Sequence, residues 1–259
     1  MTFDGDRERA GGDSQHPLRG RRVVVVGGTS GMGLGAVRAA LLAGAEVVAA
    51  GRRPEGARKA VQEGPGQLRH AVVDVTDEAS VQALFDAVGE LDHLFVTASP
   101  TPGPRGAFLE QDVAAAQDYL VRKFFGSWAC ARYAAPRMRA GGSITFLTGC
   151  AAVRPRAGST MVTATFAALE AFSQALALEL GPLRVNTIRP GLVDSDMWSS
   201  LDEAARERLR RRTRETFPAR RIGAVEDIGH AAVFLMTNPY VTGAVLEVSG
   251  GETLVSLDL

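Results

Sequence analysis

The glycines of RVVVVGGTSGMGLGAV, Arg22 to Val37, are spaced for phosphate chemistry. An apolar run feeds a glycine-rich turn that opens into a helix. Backbone N–H groups and a helix N-terminus therefore meet where a pyrophosphate can sit. Gly27 permits the tight turn, Gly31 lets the phosphate approach and Gly33 allows close helix packing, with Thr29, Ser30 and Met32 completing the loop. In AAGRRPE, Arg52 and Arg53 offer charge-assisted bonds to a phosphate dianion. Proton chemistry has other candidates. Tyr119 and Lys123 stand four apart in DYLVRK, which puts a phenol and an ammonium on one helix face.

These groups need a scaffold, and the chain is long enough to supply one. Its 259 residues are 46% hydrophobic, which suits a well-buried globular core. Short β-branched runs at 22–27, 46–51, 68–73, 93–97, 143–148, 184–189 and 244–248 alternate with amphipathic segments at 80–88, 112–139, 163–180 and 226–236. That alternation predicts an α/β fold, a doubly wound parallel sheet of Rossmann type flanked by helices with right-handed crossovers. No composition break or linker divides it. One domain is expected over 20–259, behind a flexible polar tail at 1–19 whose acids do not suit a signal peptide.

Formal net charge is zero, so nothing global favours nucleic acid or an anionic membrane surface. Two cysteines, Cys130 and Cys150, imply no disulfide framework and fit a reducing, cytoplasmic setting. Cys150 has no basic neighbour in sequence and reads as a small buried thiol. His16, His70, His93 and His230 are scattered without ligand spacing, and no metal is implied.

The loop spacing Gly-x-x-x-Gly-x-Gly resembles that of the short-chain dehydrogenase/reductase family, and the resemblance runs over about residues 20 to 251. AVVDVT resembles the family's adenine-contacting motif, which implies roles for Asp74 and Val75. IRPGLVDSDM resembles its Pro-Gly cofactor loop, implying contacts from Pro190, Gly191 and Val193, with Ser195 near the nicotinamide carboxamide. The stretch RRIGAVEDIGHAAVFLMTNPYVTGAVLEVSGG is similar to the family's C-terminal third. A carboxylate at the end of the second strand would bind both ribose hydroxyls of NAD. None stands at Gly51, Arg52 or Arg53, so the expected cofactor is NADP(H).

The same resemblance implies a catalytic set of asparagine, serine, tyrosine and lysine. Those places hold Lys123, the Thr148–Gly149 region, Val162 and Phe166, and the turn after the fourth strand reads VTAS. Val162 cannot donate a proton, and Phe166 can neither hold a ribose nor lower a neighbour's pKa. The candidate replacements are Lys123, Thr148 and Tyr119. Ser159, Thr160, Thr163 and Thr165 crowd the following helix entrance, where such residues also serve as caps.

The expected function is an atypical NADP(H)-dependent reductase passing hydride to a carbonyl, enone or iminium. The alternatives are a non-redox cyclase or isomerase on the same scaffold, and an NADP(H)-binding protein without turnover. A substrate-covering segment is expected at about 195–221, where Trp198, Met197 and Leu201 would supply an apolar wall. Its arginines, from Arg206 to Arg221, read either as a solvated face with neighbouring ion pairs or as an anion dock. The expected partners are a small-molecule substrate and further copies of the chain, as a dimer or a tetramer built on the two long helices. The terminal LDL is a candidate for reaching a neighbouring subunit.

Overall fold

The computed structural model describes residues 16–53, 65–98, 103–195 and 202–255. Seven parallel strands form one sheet in the order β3-β2-β1-β4-β5-β6-β7. They are β1 (Arg22–Val26), β2 (Glu46–Gly51), β3 (Gln67–Val72), β4 (Leu91–Val96), β5 (Met138–Leu147), β6 (Arg184–Pro190) and β7 (Val245–Val248). The order reverses between β1 and β4, and in open α/β sheets ligands lie at the strand C-termini beside such a reversal.

β1 shows why RVVVV suits the centre. Val23 and Val25 join the layer covered by α1 (Gly31–Leu42) and the last helix, whereas Val24 and Val26 join the layer on the other face. Side chains alternate across a strand, so a strand covered on both faces needs an unbroken apolar run. Each fully buried valine contributes about 1.5–3 kcal/mol relative to exposure.

The remaining helices are α2 (Glu78–Val88), α3 (Val113–Leu120), α4 (Gly126–Ala134), α5 (Thr160–Glu179), α6 (Glu203–Thr216) and α7 (Val225–Thr237). α1 and α7 meet backbone to backbone. A β-carbon at Gly35 would stand 2.2 Å from the carbonyl oxygen of Val225, and one at Gly229 would stand 2.5 Å from that of Gly35. α5 has the length and apolar composition of a membrane span. In this fold Leu169, Phe172 and Leu176 pack it onto the sheet.

The segment 112–139, expected as one helix, is divided. A π-turn at Val121–Phe125 separates α3 from α4, and Pro136 in the 3₁₀ turn Ala135–Arg137 ends the helix because it lacks an N–H. Met138 and Arg139 therefore open β5 instead of closing a helix. The expected tail also ends earlier than residue 19. Leu18 is buried, and its N–H donates to the Ala43 carbonyl at 2.9 Å. Residues 1–15 lie outside the described residues.

Candidate functional site

The carboxyl ends of the strands surround a cleft of about 870 Å³. Gly27, at the end of β1, has φ +86°, which only glycine adopts without strain, and a β-carbon there would meet Thr97 Oγ1 at 2.4 Å. Gly33 lies closer still. A β-carbon there would stand 2.1 Å from the Gly27 carbonyl oxygen, so the first turn of α1 folds directly over the β1 turn. Ser30 is the N-cap of α1, yet its side chain makes no capping bond, and Ser30, Gly31, Met32 and Gly33 all line the cleft. Thr29 lines it too, with Oγ1 close against Gly51. Unmet helix N–H groups around a glycine cradle suit a diphosphate.

Arg52 follows β2 and lines the cleft, whereas Arg53 is exposed and does not contribute to the lining. Asp74 lies beyond β3 with Val75 beside it in the wall. Its Oδ1 accepts from Thr76 N at 2.9 Å and Thr76 Oγ1 at 2.7 Å, and these bonds hold the carboxyl below its usual range, helped by Arg122 and Arg52. At the other side, Pro190, Gly191 and Ser195 line the cleft. Val193 is buried and bridges to Gly223, so it anchors the loop from behind. These features match the donor set a phosphorylated dinucleotide requires: main-chain N–H groups, an arginine and no acid at the end of β2.

Lys123 sits in the π-turn, 1% exposed, and lines the cleft. Such turns inside helices are frequent at functional sites. Its Nζ donates to the Ala98 carbonyl at 3.3 Å and lies 6.0 Å from the centroid of the Phe166 ring. Burial pushes its pKa down to about 7, because removing water penalises the charged amine. Tyr119 is buried one turn away. A β-carbon at Gly103 would meet both Tyr119 Cε2 at 2.8 Å and Val162 Cγ2 at 2.7 Å, so these side chains converge on that glycine.

Thr148 borders the cleft, but its hydroxyl donates to Glu170 Oε1 at 2.9 Å. Glu170 in turn pairs with Arg189 through bonds of 2.9 and 2.6 Å, and Arg189 also reaches Glu247. This partly buried network ties β5, α5, β6 and β7 together beneath the site. Thr163 and Thr165 have buried hydroxyls without a hydrogen-bond partner. Ser159 Oγ donates to the Arg156 carbonyl and Thr160 Oγ1 to Gln111, so neither caps α5 with its side chain. Cys150 also borders the cleft, its thiol pushed up to about 12 chiefly by burial.

Further charged groups escaped the sequence reading. Arg105, Arg122, Arg154, Arg156 and Glu252 all line the cleft. Glu252 is buried, accepting from Leu192 N at 2.7 Å and Arg156 Nη2 at 2.7 Å, and thus fastens the Pro190–Leu192 loop to the loop before α5. The sequence signal was RPR at 154–156, but nothing local joins it to a glutamate almost a hundred residues later.

The arginine-rich segment forms α6. Arg210 pairs with Glu203 at 2.9 Å and Arg214 with Glu207 at 2.6 Å, in keeping with a solvated, ion-paired face. Met197, Trp198 and Leu201, Ser99 of the VTAS turn and the terminal LDL lie outside the described residues. Among the described residues no group of His, Cys, Asp and Glu converges as metal ligands.

A family model described as Enoyl-(Acyl carrier protein) reductase matches residues 26–253. The chain belongs to the short-chain dehydrogenase/reductase family of NAD(P)-dependent reductases. It is 30% identical to Carbonyl reductase family member 4 of Danio rerio over 241 residues, covering 91% of this chain and 99% of that protein. A short chain oxidoreductase from Pseudomonas aeruginosa PAO1, solved with NADPH bound and containing an atypical catalytic center, is 30% identical with a TM-score of 0.82; the match covers 90% of this chain and 97% of that one. MalC Reductase/Diels-Alderase from Malbranchea aurantiaca is 25% identical with a TM-score of 0.85, over 93% and 99% of the two chains.

Proposed function

We propose that this short-chain dehydrogenase/reductase is an NADP(H)-dependent reductase in which Lys123, not a tyrosine, meets the negative charge that develops on the acceptor. The observation that carries this is the setting of Lys123 Nζ: buried at the cleft, held by one carbonyl and placed beside the Phe166 ring. The places that resemblance assigns to tyrosine and lysine hold Val162 and Phe166, neither of which carries an acidic proton. Thr148 supports the assignment by contrast, since its hydroxyl is already donated to Glu170.

NADPH, when bound, supplies the hydride. Arg52 would hold the 2′-phosphate, the Gly27–Gly33 loop the diphosphate and the Pro190–Ser195 loop the nicotinamide end. A pKa near 7 leaves both forms of the Lys123 amine available at neutrality. The ammonium form polarises an enone or carbonyl oxygen. Lys123 would give its Nζ proton to the oxygen that gains the electron pair on reduction, and would recover a proton from water. A cationic iminium fits less well because the ammonium repels it. Tyr119, buried in the cleft wall one turn before Lys123, would help to shape the acceptor site.

Isotope transfer from 4-deuterated NADPH into a reduced enone tests the chemistry, and Lys123→Met tests the residue. Loss of a positioned acid lowers turnover by roughly 10² to 10⁴. Unchanged turnover in Lys123→Met would remove Lys123 from the mechanism. A second reading, cyclisation without redox, draws on the likeness to a reductase/Diels-Alderase and on the apolar wall of Val162 and Phe166. It requires product formation with no deuterium incorporated.

A further inference from the structure

The cleft carries more positive charge than the proposed proton donor and 2′-phosphate contact use. Arg105, Arg154 and Arg156 are among the described residues lining it; Arg156 meets the Glu252 carboxylate and Arg154 the Glu252 main-chain carbonyl. The other acids in the lining are engaged by other groups: Asp118 by Arg122 through bonds of 2.8 and 2.7 Å, and Asp74 by Thr76. Arg105 and Arg156 arrive on separate loops that are fastened together. Gly106 N donates to the Gly158 carbonyl at 3.1 Å, and the backbones approach so closely that a β-carbon at Gly158 would stand 3.3 Å from the Gly106 carbonyl oxygen.

We infer that this rim binds a carboxylate on the substrate, so that the acceptor is an anionic tailed enone or ketone and not a neutral one. Arg156 gives Nη2 to Glu252 Oε1 at 2.7 Å, which fixes the guanidinium, while the side chain keeps 38% of its surface open. Arg105 is exposed and makes no ion pair among the described residues. Arg154 donates from Nη1 to the Glu252 carbonyl and braces the same corner. A fixed guanidinium and an available one, joined by a rigid loop contact, suit the forked geometry of a carboxylate. Glu252 uses both oxygens within the protein, one on Arg156 and one on Leu192 N, and its single negative charge does not offset the three guanidiniums in the lining.

This substrate class rests on the reductase reading for the hydride step, but binding itself is measurable without turnover. The probes are ω-carboxyalkyl enones of graded chain length and their methyl esters, titrated calorimetrically into protein saturated with NADP⁺. At one chain length the acid should bind roughly tenfold or more tightly than its ester, the scale of a charge-assisted pair. That preference should shrink with added salt. Arg105→Ala, which removes no ion pair among the described residues, should lose the preference, and Arg156→Ala should lose it too. Equal binding of acid and ester, no binding of either, or full preference retained in both variants would overturn the carboxylate dock. NADPH consumption is read separately: acid-selective binding without consumption supports the dock and counts against the reductase, whereas consumption of ester and acid alike does the reverse.

Discussion

The ring of Phe166 lies against Gly149 so closely that a β-carbon at 149 would stand 2.8 Å from Phe166 Cε2. The helix residue and the loop residue therefore form one packed unit at the cleft wall. Their identities are coupled, since any side chain at 149 must displace an aromatic ring. Gly149→Ser should destabilise the protein by about 1–3 kcal/mol, the usual cost of overpacking. Adding Phe166→Lys should recover most of that loss. Urea unfolding of the two single variants and the double variant would reveal the coupling, and strictly additive effects would contradict it.

Lys123 makes stability depend on alkaline pH. Its pKa falls from 10.5 to about 7 on folding, so between those values the unfolded chain binds the extra proton. Stability should be lowest below pH 7 and rise as pH increases towards 10.5. In Lys123→Met this rise should vanish and stability near pH 7 should increase. Catalytic reduction runs in the opposite sense: if the ammonium is the donor, turnover should fall as pH passes upward through about 7. Parallel unfolding curves and rate profiles would check both signs.

His93 sets an acid limit. It is buried with Nδ1 2.9 Å from Ser143 Oγ, and burial pushes its pKa from 6.5 down to about 4. The unfolded chain takes up the proton first, so stability should be full above 6.5 and be lost as pH falls towards 4. His93→Asn should flatten that window, as read from denaturation midpoints across the range.

Arg52 should decide between the two dinucleotides. Replacing it by alanine should weaken NADPH binding roughly tenfold while leaving NADH binding nearly unchanged, because only the former has a 2′-phosphate to lose. Fluorescence titration with each cofactor would measure the ratio. The same substitution at Arg53, which does not line the cleft, should have a smaller effect.

The strands and the glycine loop were legible because their signals are local. RVVVV needs apolar neighbours on both faces wherever it lies, and the Gly27–Gly33 turn is written within seven residues. The family resemblance likewise named Lys123, Val162 and Phe166 by position alone. What the sequence left undecided depends on contacts between distant segments. Pro136 and the π-turn broke a continuous amphipathic pattern, because periodicity reveals a face and not a change in helical pitch.

Nor did residue types disclose electrostatics. Lysine is ordinarily a solvated cation, and only burial among Ala98, Phe166 and the cleft wall lowers the affinity of Lys123 for its proton. Thr148 looked like a spare hydroxyl until Glu170, 22 residues on, was found to accept its proton. Glu252 fastens Leu192 across 60 residues of chain. The sequence alone thus determined the fold and the glycine turn after β1, through short-range pattern. The tertiary structure decided which charges are desolvated, which are paired and which remain open at the rim, because those properties belong to surroundings assembled from separate strands.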